Sequence, residues 1–225
     1  MAIFRKKATE PAVALPKNIQ QVGDTSASVK VYIKQDVYRD IEEYSALDTK
    51  NEAGSILLGH HLEDETGTHI IISEFIEAKY TDASASTLTF TPDTWDYVHT
   101  CHERRCPEKV ILGWHHTHPG YDVFLSAYDL FIQENFFDLP FQTAYVVDPL
   151  CDNRGFFAKK DGVITRLGGF FIYDDDNKKP VKIPQIKQPK EKGTVSIPSA
   201  LLYAGLGLLL LTTLVSVFSL VMLLA

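Results

Sequence analysis

The sequence predicts a mixed α/β domain, and three observations carry that expectation. Short apolar runs, alternating or continuous, occur at 29–34, 54–62, 69–79, 109–116, 142–147, 154–160 and 163–173, most of them bounded by turn residues. Stretches of helical character lie between them, at 36–50, 91–105 and 126–136. Neighbouring strand-like runs sit close enough to pair as hairpins, so the regular alternation of a doubly wound sheet is not expected.

The elements follow in order. Residues 1–28 contain Pro, Ser and Thr without clear periodicity and read as a mobile tail. VKVYIK at 29–34 alternates, as a half-buried strand does. Asp36 is placed to cap a helix reaching about Lys50, with Val37, Ile41, Tyr44 and Leu47 on one face. The runs GSILLGHHL and HIIISEFIEAK flank a turn containing Asp64 and Gly67. Thr91-Pro92-Asp93 opens a helix to about Arg105, and Pro107 stops it. KVILGWHH at 109–116 reads as a buried strand, and Ser126 begins a helix to about Phe136. The last three runs read as strands, with turns at Asn153–Gly155 and Asp161-Gly162. There is no internal repeat.

The ordered domain is expected to span 29–173. Residues 174–198 read as a linker: Asp174–Asp176, then six lysines interleaved with Pro180, Pro184 and Pro189, which favour an extended, self-repelling chain. No charged residue occurs from Thr194 to Ala225, and Leu, Val, Phe and Ala dominate from Ala200. That run exceeds the roughly 20 apolar residues a bilayer span requires, and it is apolar on every side. Residues 199–225 are therefore expected to form a transmembrane helix. Its position at the end of the chain and the lysines preceding it predict a single-pass, tail-anchored protein with the folded domain in the cytoplasm. The N-terminus has no apolar stretch of signal-peptide type.

A net charge of −7 argues against a nucleic-acid partner, which favours a basic stripe. Cys101, Cys106 and Cys151 form no CxxC pair and read as reduced thiols.

The chemistry concentrates in WHHTHPGYDVFLSAYD, residues 114–129. At the end of a strand, His116 and His118 at i,i+2 point both imidazoles to one face. Ser126 and Asp129, three apart at a helix start, also share a face. Two imidazoles and a carboxylate form a ligand set of catalytic zinc sites, with the fourth position open. Zinc lowers the pKa of a bound water toward about 7, and a carboxylate is the usual base to take its proton.

At these residues the sequence resembles the JAMM/MPN (JAB1/Mov34/PAD-1-like) zinc metallopeptidase family. His116, His118, Ser126 and Asp129 match its HxH-x7-S-x2-D signature, and Glu52, seven residues before Gly59 in a hydrophobic run, matches its upstream glutamate. The resemblance covers about 30–173, including Gly113-Trp114 and Val147-Asp148-Pro149. It implies a cytidine deaminase-like central sheet flanked by helices, with one Zn2+ per chain bound by His116, His118 and Asp129. It implies that Glu52 is the general base and proton carrier and that Ser126 stabilises the oxyanion. The implied activity is a deubiquitinase-like isopeptidase, with a ubiquitin-like protein or its conjugates as partner. A zinc peptidase or amidase on small peptides or sulfur-carrier C-termini, and a non-catalytic membrane-anchored scaffold, are the alternatives.

Each of these residues also has a structural reading: strand histidines, an ordinary surface glutamate, and a helix capping box at Ser126-x-x-Asp129. The capping reading is compatible with metal binding by Asp129. His115 falls on the other strand face and reads as a packing or surface residue, with support of the metal ligands from behind as the lesser alternative. His102-Glu103-Arg104-Arg105-Cys106 resembles the HExxH motif, but cysteine replaces the second histidine and Pro107 ends the helix there. The H-x-E and P-C-x-x-C pattern of cytidine deaminases is not present.

Overall fold

In the computed structural model of the chain, residues 13–175 are described. The chain builds β1 (Ile19–Gly23), β2 (Val29–Lys34), α1 (Gln35–Ser45), β3 (Gly54–Asp64), β4 (Gly67–Glu77), β5 (Asp82–Ala83) and β6 (Leu88–Thr89). It continues through α2 (Pro92–Arg105), β7 (Val110–Thr117), α3 (Ala127–Phe136), β8 (Thr143–Asp148), β9 (Asn153–Lys160), β10 (Val163–Arg166) and β11 (Gly169–Tyr173). Nine strands form one mixed sheet in the order β1-β11-β2-β4-β3-β7-β8-β9-β10, and β5-β6 form a separate small ribbon.

Two apolar layers clothe the sheet. Val37, Tyr38 and Ile41 of α1 pack on one face with Val31, Ile33, Ile70, Ile72 and Tyr145. Val98 and Cys101 of α2 and Ile132 of α3 pack on the other with Ile56, Trp114 and Val146. The alternation of Trp114 and His116 with His115 along β7 assigns them to opposite layers. Thr91 and Ser126 each begin their helix with a reciprocal capping box, which satisfies backbone donors that the first turn leaves free.

One feature of register sets the position of the site. The β3–β7 pairing shifts between Leu57 and Leu58, opposite Gly113, after which Gly54 pairs with His116. Gly113 has φ +137°, and a Cβ there would lie 1.8 Å from the Thr143 carbonyl oxygen. Glycine is required for this bulge. The same row continues from His116 to Val146 and from Val146 to Gly155.

Several expectations are corrected. The helix after β2 ends at Ser45 rather than near Lys50, and Leu47 is 81% exposed. The Asp48 carboxylate accepts from the amides of Lys50 and Asn51, a local turn that competes with helix continuation. Asp36 is not the cap: Lys34 holds that position, and Asp36 accepts the Val37 amide inside the first turn. Within the proposed mobile tail, Ile19–Gly23 is strand β1, antiparallel to β11. Only Ile19 and Val22 are apolar there, so a strand whose partner lies far away in sequence leaves little periodic signal. The run 163–173 divides at Leu167-Gly168 into β10 and β11, which occupy distant places in the sheet. A Cβ on Gly169 would lie 2.1 Å from the Val22 carbonyl oxygen, so the second segment needs glycine where it docks on β1.

Cys101 and Cys106 are buried, Cys151 is exposed, and all three are free thiols. Among the described residues no helix is long and apolar enough to cross a membrane. Residues 1–12, most of the linker and the apolar segment 199–225 lie outside the described residues.

Candidate metal centre

Four chain segments converge at the C-terminal end of β7. His116 is the penultimate residue of β7, and His118 follows the strand by one residue. The His118 amide donates to the Val147 carbonyl at 2.9 Å, which extends the β7–β8 pairing as far as the second histidine. Ser126 caps α3 and Asp129 lies in its first turn. Glu52 precedes β3, which pairs with β7. Its amide donates to Ser84 O at 2.7 Å, and Ala53 and Thr117 exchange hydrogen bonds at 2.8 and 2.9 Å.

His116, His118 and Asp129 are buried, and their ligand atoms all lie within 4.8 Å of one another. Among the described residues this is the one group of three His, Cys, Asp or Glu that meets that spacing. His116 Nε2 is 3.5 Å from Asp129 Oδ1, and His118 Nε2 is 3.4 Å from Asp129 Oδ2. Tetrahedral ligands at about 2.0–2.2 Å from zinc lie about 3.4 Å apart. Both ring nitrogens of His116, Nδ1 of His118 and Oε2 of Glu52 are buried without a hydrogen-bond partner. Buried polar atoms are rarely left so. Unpartnered donors at the spacing of a tetrahedral edge fit a small divalent metal, and the two-nitrogen, one-oxygen set suits zinc.

The electrostatics agree with that donor set. Burial pushes the Asp129 carboxyl up, but the His116 and His118 imidazoles close against it outweigh this and hold the group far below the usual carboxylate range. Burial lowers the His116 imidazole, against the opposing pull of Asp129, and keeps it neutral. Burial also disfavours the charged form of His118, but hydrogen bonding to Asp129 reverses this and the net shift is upward. Glu52 is pushed up to about 7 by burial, with His118 opposing and the Asp129 charge adding to it. Its Oε1 lies 3.6 Å from His118 Nε2.

Ser126 and Asp129 serve two structural purposes at once. Asp129 Oδ2 accepts the Ser126 amide at 2.7 Å, and Ser126 Oγ accepts the Asp129 amide at 3.1 Å. The serine oxygen is thereby fixed while its hydroxyl hydrogen remains available to donate.

Of the five site residues, Glu52 alone lines a cleft of about 410 Å³, together with Tyr44, Leu47, Asp48, Asn51, Thr81 and Asp82. Phe124, exposed, stands 4.8 Å from the His118 ring. Two larger clefts, about 640 and 630 Å³, include none of the five site residues. Size is the weaker guide here, because of these three clefts only the smaller one is lined by a site residue.

Supporting residues went unrecognised in the sequence. Trp114 stacks on His116 with ring centroids 4.1 Å apart and donates from Nε1 to Gln133 of α3 at 2.9 Å, which ties α3 to β7. Asp148 accepts the Gly120 and Asp122 amides, each at 2.9 Å, and so shapes the loop between the histidines and Ser126. An isolated glutamine or aspartate carries no motif; only the Val-Asp-Pro context at 147–149 drew attention to Asp148. His115, which could have been a surface residue, is fully buried on the α1 side. In the HExxH-like segment, His102 Nε2 bonds to Lys109 O at 2.7 Å as part of a helix end.

The chain is similar to several known proteins. Over 49 residues the chain is 41% identical to the 26S proteasome non-ATPase regulatory subunit 14 of Dictyostelium discoideum, covering 21% of this chain and 16% of that protein. It is 40% identical over 80 residues to COP9 signalosome complex subunit 5 of Yarrowia lipolytica, covering 35% of this chain and 20% of that protein. It is 29% identical over 99 residues to the NAD(+) hydrolase TcpA of a Theionarchaea archaeon, covering 44% and 27%. The chain therefore spans about a quarter or less of the length of these relatives. The family described as JAB1/Mov34/MPN/PAD-1 ubiquitin protease matches residues 26–139, just over half of the chain. This chain belongs to the JAB1/Mov34/MPN/PAD-1 family.

Proposed function

We propose that this chain is a zinc-dependent isopeptidase that hydrolyses the amide bond between a ubiquitin-like protein and its target. The observation that carries this reading is the group of three buried ligands at tetrahedral spacing, with Glu52 Oε2 unpartnered beside it. The ubiquitin-like substrate is taken from the family's description as a ubiquitin protease and is the finer part of the proposal.

His116, His118 and Asp129 would hold the ion. Bound zinc would supply Lewis acidity toward the scissile carbonyl and the attacking water. Glu52 takes the proton from that water and delivers it to the departing amine. Burial raises the proton affinity of this carboxyl and a bound cation beside it would lower it, opposing pulls that suit a group which both takes up and returns a proton. Ser126 donates its hydroxyl hydrogen to the carbonyl oxygen as charge develops there, in the fixed orientation given by the Asp129 amide. The Leu47–Asp82 cleft admits the chain segment flanking the scissile bond.

We further propose that 174–198 is an extended linker and that the uncharged apolar segment 199–225 anchors the enzyme in a membrane, with the domain on the lysine-rich, cytoplasmic side.

Elemental analysis of the purified protein should find about one zinc per chain. The His116→Ala, His118→Ala double variant should lose it; full occupancy in that variant would remove the site assignment. Cleavage of a ubiquitin-like fusion in preference to short peptides supports the isopeptidase reading, and the opposite preference favours a small-peptide amidase. Stoichiometric zinc with no hydrolysis of either favours a scaffold.

A further inference from the structure

We propose that His115 is a positioning residue which bridges Ser45 and Ser55 and so closes the base of the segment that presents Glu52. The catalytic part of this inference rests on Glu52 acting as the base.

His115 points away from His116, into the α1 layer, and is fully buried. Its Nε2 lies 3.0 Å from Ser45 Oγ and its Nδ1 lies 3.1 Å from Ser55 Oγ. A count of protons fixes the roles. The Ser45 hydroxyl donates to the Ile41 carbonyl at 2.7 Å. A hydroxyl has one hydrogen, so Ser45 accepts from His115 and Nε2 carries the ring proton. In the neutral ring Nδ1 is then the acceptor, and Ser55 donates to it. The ring is fully buried between two neutral hydroxyls, surroundings that disfavour its charged form.

The two serines bracket the critical segment. Ser45 is the last residue of α1 and Ser55 the second residue of β3. Between them lie residues 46–54, with Glu52 included. Residues 46–51 are exposed apart from Asp48, which is partly exposed and occupied by its own turn. Other anchors hold the two ends: Ala46 N and Leu47 N to carbonyls of the helix end, Glu52 N to Ser84 O, Ala53 N to Thr117 Oγ1, and Tyr44 OH to Gly54 O. The bridge through His115 is a second tie between the helix end and the strand start, made across β7 beside the direct bond from Tyr44 to Gly54. Without it the segment keeps its anchors at Glu52 and Ala53, the Ala46 and Leu47 amides on the helix end and the Tyr44–Gly54 bond, but Ser45 and Ser55 lose the buried partner they share and the closure of the segment loosens. The carboxylate then occupies its productive position for less of the time, while the three metal ligands are untouched.

The test compares the full chain with His115→Leu, which removes both hydrogen bonds, and His115→Gln, whose amide retains a donor and an acceptor. The imidazole 15N spectrum of the wild type should show a protonated Nε2 and a bare Nδ1. In metal-free protein, amide exchange of residues 46–54 should accelerate in His115→Leu and return toward wild type in His115→Gln. With zinc bound, His115→Leu should lose about 10- to 100-fold in kcat on a ubiquitin-like fusion, with KM and zinc content near wild type, and His115→Gln should recover most of that loss. A protonated Nδ1, unchanged exchange at 46–54 in His115→Leu, or an equal kcat loss in both variants would overturn the proposal. If His115→Leu does not fold, Ser45→Ala and Ser55→Ala each remove one arm and give the same exchange readout. A wild type inactive on every conjugate would defeat the proposed function, while the ring spectrum and the exchange data would still decide the bridge.

Discussion

Replacing Glu52 with glutamine should stabilise the metal-free protein while destroying its activity. Glu52 is 5% exposed, and burial, with Asp129 nearby, raises its carboxyl from an ordinary 4.5 to about 7. Between those two values the folded state holds a proton that the unfolded chain has released, so stability falls as pH rises through the window. Below the window both states are protonated and the cost vanishes; above it the cost is complete. At about 1.4 kcal/mol per unit, ionising Glu52 in the empty site costs about 3 kcal/mol. Glutamine carries no charge, but its buried amide forfeits about 1 kcal/mol for an unmade hydrogen bond. The expected net gain for Glu52→Gln is about 2 kcal/mol at about pH 8, reversing to a loss of about 1 kcal/mol near pH 4, where only the amide's unmade hydrogen bond remains. Urea unfolding of chelator-treated wild type and variant at several pH values measures it. Equal or lower stability of the variant at about pH 8 would refute the burial argument. In the zinc-loaded protein the same substitution should lower turnover by about 10²- to 10⁴-fold and leave the metal in place, since a neutral amide accepts no proton.

Ser126→Ala should lower kcat by about 10²-fold or more with zinc retained; it should also cost about 1 kcal/mol of stability through loss of the α3 cap, and an unchanged rate would exclude Ser126 as oxyanion donor. Gly113→Ala should destabilise the fold by about 2–4 kcal/mol, because the bulge needs both the left-handed backbone and the close approach of Thr143; an unchanged denaturation midpoint would show that the bulge tolerates a side chain. Full-length protein should sediment with membranes and resist carbonate extraction, residues 1–192 should remain in solution, and protease added outside intact cells should leave the domain uncut. Release by carbonate would argue against a spanning anchor, and digestion outside intact cells would reverse the orientation.

Much of this protein could be read locally. The i,i+2 pair His116 and His118 and the i,i+3 pair Ser126 and Asp129 are statements about strand and helix periodicity, which the backbone dictates without reference to the rest of the chain. The Thr91 and Ser126 caps and the Asp64–Gly67 hairpin were legible for the same reason: each is settled by a few adjacent residues. Hydrophobic periodicity likewise marked β2, β3, β4 and β7 close to their observed bounds.

What depended on partners distant in the chain was not legible. β1 exists because β11 offers it an edge, and the split between β10 and β11 exists because the chain crosses from one end of the sheet to the other. Leu47 fits a helical stripe, yet the Asp48 turn ends the helix first and leaves that side chain in solvent beside the Glu52 cleft. The donor types were written in the sequence, but their meeting was decided by the β3–β7 register. The bulge at Gly113 pairs Gly54 with His116, and from there the chain carries Glu52 to within 3.6 Å of His118. The charge states followed from the same packing: the two histidines hold Asp129 as a carboxylate against its burial, burial makes Glu52 a reluctant one, and the Ser45 hydroxyl fixes the tautomer of His115. Spacing along a chain determines which side chains share a face; burial and register determine which faces meet, and in what state of protonation.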